Sequence, residues 1–252
     1  MDRWVGSVAI VTGASAGIGR SIAEKLVEAG VKVVGIARRK EKLDDLQKSL
    51  ASKKGKFFPY VGDVSKEDDI KGAFKWTKEN VGPVSILINN AGIVRLSQAS
   101  TFETKDWVDT LNVNVLAVGI ATREAIQEMK KNNIDGHIIN INSIAGLKIG
   151  SFEQMTIYQG SKYALTAITE TLRLELAKSG SKIRMTGIHP GGVVTEIFEQ
   201  LSEKFDKAAL DKMKTMSFLN AEDVAETVLY ALSTPKHVLI TQLTVQAVGE
   251  IY

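Results

Sequence analysis

Thr12-Gly13-Ala14-Ser15-Ala16-Gly17-Ile18-Gly19 decides how this chain folds. It follows Val8-Ala9-Ile10-Val11, an apolar run too brief for a helix and bounded by turn residues, which reads as a buried strand. Beyond the glycines the apolar period changes. Ile18, Ile22, Ala23, Leu26 and Val27 recur at helical spacing and stop at Gly30, a C-terminal cap residue. Glycines between a strand and a helix let the backbone turn tightly and come close to a pyrophosphate, and the helix N-terminus adds free N–H groups and a favourable dipole. The spacing of Gly13, Gly17 and Gly19 is G-x-x-x-G-x-G, unlike the commoner G-x-G-x-x-G. A glycine-rich turn is often only structural; its placement in a βαβ unit favours a nucleotide, with Gly13, Ser15, Gly17, Ile18 and Gly19 as the candidate contacts.

Outward from this loop the same alternation continues. Val33–Ile36 and Phe57–Val61 read as strands, with a helix from Lys40 to Lys54 between them carrying Leu43, Leu46 and Leu50. Ser65-Lys66-Glu67-Asp68 resembles a capping box for the next helix. Ile86–Ile88 and His137–Ile141 are further strands, separated by a helical region from Thr104 to Asn132. A long helix over Thr156–Ser179, a strand over Ile183–Ile188, a helix between Asn220 and Pro235, and a strand near Leu239–Val245 complete the series. Such alternation predicts an α/β fold: a doubly wound, Rossmann-type parallel sheet of about seven strands flanked by helices, whose ligands bind at the carboxyl ends of the strands. No linker interrupts the pattern, so residues 1–252 are expected to form a single domain.

Composition narrows the function. The 252 residues are 44% hydrophobic with a net charge of +3, and acidic residues interrupt the lysines between Arg38 and Lys56, so no nucleic-acid stripe is expected. Cysteine is absent, which removes disulfides and thiolate metal sites. His137, His189 and His237 have no ligand spacing, so no metal is expected. No apolar run is long enough to span a membrane, and the N-terminus enters a strand without a signal-like segment; the expected location is cytoplasmic.

The loops at the strand ends hold the unusual residues. After Ile36 come Arg38 and Arg39, where a site selective for NAD places an acidic residue and arginine accommodates the 2′-phosphate of NADP. NADP is therefore expected over NAD, and the other reading is a solvated helix turn. Asp63-Val64 follows the third strand, where Asp63 meets an adenine or simply caps a turn, and Asn89-Asn90-Ala91-Gly92 follows the fourth. Ser143 follows the fifth and can donate to a substrate oxygen. Asn114 is a polar residue among apolar helical neighbours, and a satisfied core amide is its plainest reading. Tyr158 and Lys162 are four residues apart, so a helix stacks them on one face, where an ammonium can lower the pKa of a phenol. A phenol so adjusted can exchange a proton with an alcohol or carbonyl.

Thr12-Gly13…Gly17-Ile18-Gly19, Asp63, Asn89-Asn90-Ala91-Gly92, Asn114, Ser143, Tyr158…Lys162 and Pro190-Gly191 followed by Thr195, in this order, resemble the short-chain dehydrogenase/reductase family over essentially the whole chain. The texture around Asn112–Ala117 and Ser161–Ala164 is similar to its farnesol dehydrogenase-like branch. The resemblance implies that Tyr158 is the general acid/base and that Lys162 favours its phenolate and holds the nicotinamide ribose. Ser143 would orient the substrate oxygen, and Asn114 would anchor a water in a proton relay to Lys162. Pro190, Gly191, Val193 and Thr195 would close over the nicotinamide. NADP-using members often carry a basic residue where this chain has Ala16, so cofactor choice rests on Arg38 and Arg39 with Ser15.

Residues 193–220 alternate Ile197, Phe198, Leu201, Phe205, Leu210, Met213, Met216 and Phe218 with charges, as an amphipathic substrate lid or an ordinary surface helix pair would. A lid of this kind suits an apolar alcohol or carbonyl, a prenyl alcohol such as farnesol and a steroid or xenobiotic ketone equally; the resemblance implies farnesol first, with a broad-specificity carbonyl or 3- or 17-ketosteroid reductase as the alternative. A non-catalytic NADP-binding regulator would retain the glycine loop and lose the acid/base set. A nucleotide-sugar epimerase would need a larger region after Pro190. The resemblance also implies a homodimer or homotetramer.

Overall fold

The structure is a computed structural model that describes residues 1–96, 98, 100–150, 154–198 and 217–250. Its strands are β1 (Val8–Thr12), β2 (Lys32–Ala37), β3 (Lys56–Val61), β4 (Val84–Asn89), β5 (His137–Ile141), β6 (Arg184–Pro190) and β7 (Gln242–Val245). They form one sheet in the order β3-β2-β1-β4-β5-β6-β7, and every neighbouring pair is parallel. The chain winds outward from β1 in one direction and, from β4, in the other. The crevice between β1 and β4 is the switch point at which such sheets bind ligands.

The described helices are α1 (Gly17–Glu28), α2 (Lys40–Ser49), α3 (Glu67–Asn80), α4 (Thr104–Leu111), α5 (Ala117–Lys131), α6 (Thr156–Lys178) and α7 (Ala221–Ser233). Strand residues alternate between two apolar layers. Ala9, Val11, Val33, Ile86, Ile88 and Ile139 pack with Ile22 and Leu26 of α1 and Val224 and Val228 of α7. Ile10, Val34, Ile36, Leu87 and Ile138 pack with Ile70 and Phe74 of α3 and Ala121, Ala125 and Met129 of α5. Both faces are thus covered, which is why β1, β5 and β6 are buried at every position.

Local departures from the sequence-based expectations have physical causes. Helix α2 stops at Ser49, short of Lys54, because tight turns at Ala51 and Lys53 bring Gly55 back, where its N–H donates to Val27 O at 2.8 Å. A Cβ on Gly55 would lie 2.1 Å from Val31 O, so only glycine makes this approach. Ser65 does not cap α3. Its hydroxyl donates to Asp63, the N-cap is Lys66 without a side-chain bond, and Glu67, Asp68 and Asp69 complement the helix dipole instead. A capping box does open α7, between Asn220 and Asp223. Between α4 and α5 the helix widens into a π turn over Asn112–Leu116, a distortion frequent at functional sites.

Candidate active site

The glycine loop is built against the loop that follows β4. The Asn90 and Ala91 N–H groups both donate to Thr12 Oγ1 at 3.0 Å, and Asn90 Nδ2 donates to Thr12 O at 2.9 Å. Gly13 and Gly17 have positive φ, and a Cβ on Gly19 would lie 2.3 Å from Asn90 Nδ2. The two loops interlock at the switch point, and Ile18 and Gly19 start α1 beside them. Thr195 lies across this loop, its methyl 3.1 Å from where a Gly17 Cβ would be. The Thr195 hydroxyl accepts from Phe198 N at 3.4 Å.

At the end of β2, Arg39 turns toward the glycine loop, and its Nη2 and Nε donate to Ser15 Oγ at 2.9 and 3.3 Å. Arg38 is exposed and its charge acts on Asp63. Asp63 accepts from Ser65 N and Oγ, the turn-capping arrangement. Burial raises its pKa, but those bonds and the charges of Arg38 and Lys66 leave it lowered. Val64 packs against the Ile10 layer.

The residues expected to form an acid/base set, Tyr158, Lys162 and Ser143, meet at the carboxyl end of β5. Helix α6 places Tyr158 and Lys162 on one face, and Lys162 Nζ lies 5.7 Å from the centroid of the Tyr158 ring. Lys162 is 5% exposed and donates to Ile141 O at 3.2 Å; no carboxylate pairs with it among the described residues. Burial alone lowers its pKa to about 8. Tyr158 moves against the expectation drawn from its spacing. Burial raises its pKa, and only the neighbouring Ser143 hydroxyl draws it back. Both groups resist charging because the site is largely dry, and spacing alone does not report burial.

Asn114, 1% exposed, sits in the π turn. Its Oδ1 accepts from Ile93 N at 2.9 Å, and its Nδ2 donates to Ile93 O and Ser161 Oγ, both at 3.0 Å. Ser161 Oγ in turn donates to Tyr158 O at 2.7 Å. Asn114 is therefore a satisfied core amide that also fixes the start of α6. A Cβ on Gly92 would lie 3.5 Å from Asn114 Oδ1 and 4.0 Å from Lys162 Nζ, so the loop after β4 reaches the acid/base set as well.

His189 and Glu250 lie beside the expected residues at the end of β6, and sequence reading gave neither a place in the site. His189 on β6 is buried, with Nδ1 3.3 Å from Ser143 O. A carbonyl only accepts, so the proton lies on Nδ1, and Nε2 is left without a partner. Burial lowers the His189 pKa, the Ser143 carbonyl raises it, and Lys162 lowers it further. Pro190 ends β6, and Gly191 N donates to Val245 O at 2.8 Å. The Glu250 carboxylate accepts from Gly192 N at 2.7 Å and Ala247 N at 3.2 Å, so close that a Gly191 Cβ would lie 2.1 Å from it. The Gly191-Gly192 doublet was the available signal for this approach. Val193 pairs with Leu219 in a parallel bridge, and Phe198 packs edge-on to Phe218 at 4.6 Å. The two ends of the expected 193–220 lid are thereby joined, while 199–216 lie outside the described residues.

Comparisons with known proteins agree with the fold. The sequence model of a family described as short chain dehydrogenase matches residues 7–206. A farnesol dehydrogenase of Aedes aegypti is 44% identical over 99% of both chains. The human protein called dehydrogenase/reductase SDR family member 11 is 42% identical over 100% of this chain and 98% of its own. A closed serine dehydrogenase solved with NADP+ superposes with a TM-score of 0.84 at 29% identity, over 97% of this chain and 96% of its own.

Proposed function

The chain belongs to the short chain dehydrogenase family and is an oxidoreductase of CH–OH donors; from that premise we propose that it uses NADP in preference to NAD and interconverts an apolar alcohol, farnesol, with its carbonyl. The observation that carries the reading is the meeting of Tyr158, Lys162 and Ser143 at the carboxyl end of β5. The identity to the Aedes farnesol dehydrogenase supports the substrate. The Arg39–Ser15 pair supports the cofactor, since it holds a guanidinium beside the glycine loop and no acidic residue ends β2.

The donor set fits the dinucleotide. Gly13, Gly17, Ile18 and Gly19 would hold the pyrophosphate, and Ser15, Arg38 and Arg39 the 2′-phosphate. Asp63 and Val64 would border the adenine, and Asn90, Ala91 and Gly92 the middle of the cofactor. Pro190, Gly191, Val193 and Thr195 would border the nicotinamide end. When bound, the nicotinamide accepts or supplies the hydride. In the oxidative direction Tyr158 gives its own phenolic proton to the neutral Lys162 amine as its Oη takes the substrate hydroxyl proton, and Ser143 Oγ donates a hydrogen bond to the same oxygen. Lys162, with a pKa of about 8, exchanges protons near neutrality and passes the one it takes from Tyr158 on to water. Asn114 keeps the floor of this relay in place and would anchor its water.

We extend the proposal to a homo-oligomer built on α4 and α6, which pack on each other. Val108, Leu111, Leu116, Tyr163 and Leu174, on or beside these helices, are exposed. Among the described residues no helix is long and apolar enough to cross a membrane, and no acidic or histidine cluster could hold a metal ion.

The test is the rate of reduced-cofactor formation with NADP+ and NAD+ across farnesol, hydroxysteroids and short secondary alcohols, beside Tyr158→Phe. Farnesol with NADP+ is expected to turn over fastest, and the variant to lose roughly 10²- to 10⁴-fold in kcat. Broad ketone reduction without farnesol preference would move the substrate to the ketosteroid class. No turnover with any substrate would point to a non-catalytic regulator.

A further inference from the structure

Glu196 stands where the 2′-phosphate is expected. It belongs to the segment after β6, 157 residues from Arg39 in sequence, yet its Oε2 accepts from Arg39 Nη1 at 2.7 Å. Its Oε1 pairs with Lys42 of α2. The opposite edge of the Arg39 guanidinium is the one bound to Ser15 Oγ, so Arg39 is clamped between a hydroxyl of the glycine loop and a carboxylate. Thr195, one residue earlier, rests against Gly17. The segment thus spans the groove from the pyrophosphate loop to the cations at the start of α2.

We infer that Glu196 is a specificity-determining residue of the cofactor site, a resident carboxylate that Arg39 and Lys42 exchange for the 2′-phosphate of NADP. The inference rests on the NADP reading above and adds Lys42 as a phosphate ligand. A carboxylate and a phosphate monoester both offer paired oxygens to a guanidinium, but the phosphate carries nearly two charges against one. Arg39, Lys42 and Glu196 are 45%, 41% and 35% exposed, so water screens both pairs and they open at small cost. An exposed pair of this kind is a competitor that a dianion can displace. A cofactor without the 2′-phosphate has nothing to offer these cations, and Glu196 stays on them. The carboxylate therefore costs NADP some affinity and leaves NAD untouched.

The experiment titrates the full-length protein calorimetrically with adenosine 2′,5′-bisphosphate and with 5′-AMP, comparing wild type, Glu196→Gln and Lys42→Ala. Wild type is expected to prefer the bisphosphate. Glu196→Gln should bind it roughly three- to tenfold tighter with 5′-AMP unchanged, and Lys42→Ala should bind it more weakly. In an Arg39→Ala background the gain from Glu196→Gln should shrink, as coupled residues require. Unchanged or weaker bisphosphate binding by Glu196→Gln, or an equal gain for both probes, would overturn the inference while wild-type preference for the bisphosphate left the NADP reading intact. Equal wild-type affinity for the two probes would overturn that reading, and the inference with it. Glu196→Ala, matched to wild type by circular dichroism, must change binding in the same direction as Glu196→Gln.

Discussion

Lys162 and Lys42 carry the same ammonium into opposite surroundings. Lys162 is 5% exposed, faces the Tyr158 ring, and has a backbone carbonyl as its partner. Lys42 is on the surface with Glu196 beside it. Burial without a countercharge brings the first to about 8, close to neutrality, so its proton is exchangeable. The second is paired with a carboxylate that, in the proposal above, a phosphate replaces. On the reading proposed above, the two ends of one groove use the same chemical group for proton transfer and for charge recognition, and the difference between them is solvent.

The buried end should give the larger effects. Replacing Lys162 with Met is expected to reduce kcat by at least about 10²-fold, since the acid/base relay loses its exchanging member. The same change should stabilise the fold. Lys162 titrates at about 8 when folded and 10.5 when free. Between these values the unfolded chain binds more protons, so the penalty is full below pH 8 and is relieved as pH rises to 10.5. The shift corresponds to about 3 kcal/mol. Less about 1 kcal/mol for the lost bond to Ile141, the variant should gain of order 2 kcal/mol at pH 7 by chemical denaturation. It should also lack the wild-type rise in stability above pH 8. A destabilised Lys162→Met would break the comparison.

At the exposed end, Arg39→Ala should weaken NADP about tenfold and leave NAD nearly unchanged, as loss of a charged hydrogen bond predicts. The NADP loss should diminish with added salt, because these charges are screened. Arg38→Asp should act in the same sense by placing a carboxylate near the phosphate. Equal losses for both cofactors would show that these arginines shape the turn and do not select the phosphate.

Much of this was legible in the residues. The alternation of strands and helices, the glycine loop and the Tyr158–Lys162 spacing are local patterns, and local geometry enforces them. The direction of the Tyr158 pKa was not legible, because it depends on burial by distant elements. Nor were the partners of Arg39 and Gly192, since Glu196 and Glu250 reach them across 157 and 58 residues. Asp63 and Asn114 had two readings each from sequence. The structure adds a capped turn for the first and a satisfied amide for the second.

The titration of Lys162 reports directly on whether burial leaves its ammonium without a countercharge. Lysine labelled with carbon-13 at Cε, assigned by Lys162→Met, reports the ammonium-to-amine transition by NMR against pH. A midpoint of about 8 is expected for Lys162; a midpoint at the free value of 10.5 would rule out a buried, unpaired ammonium.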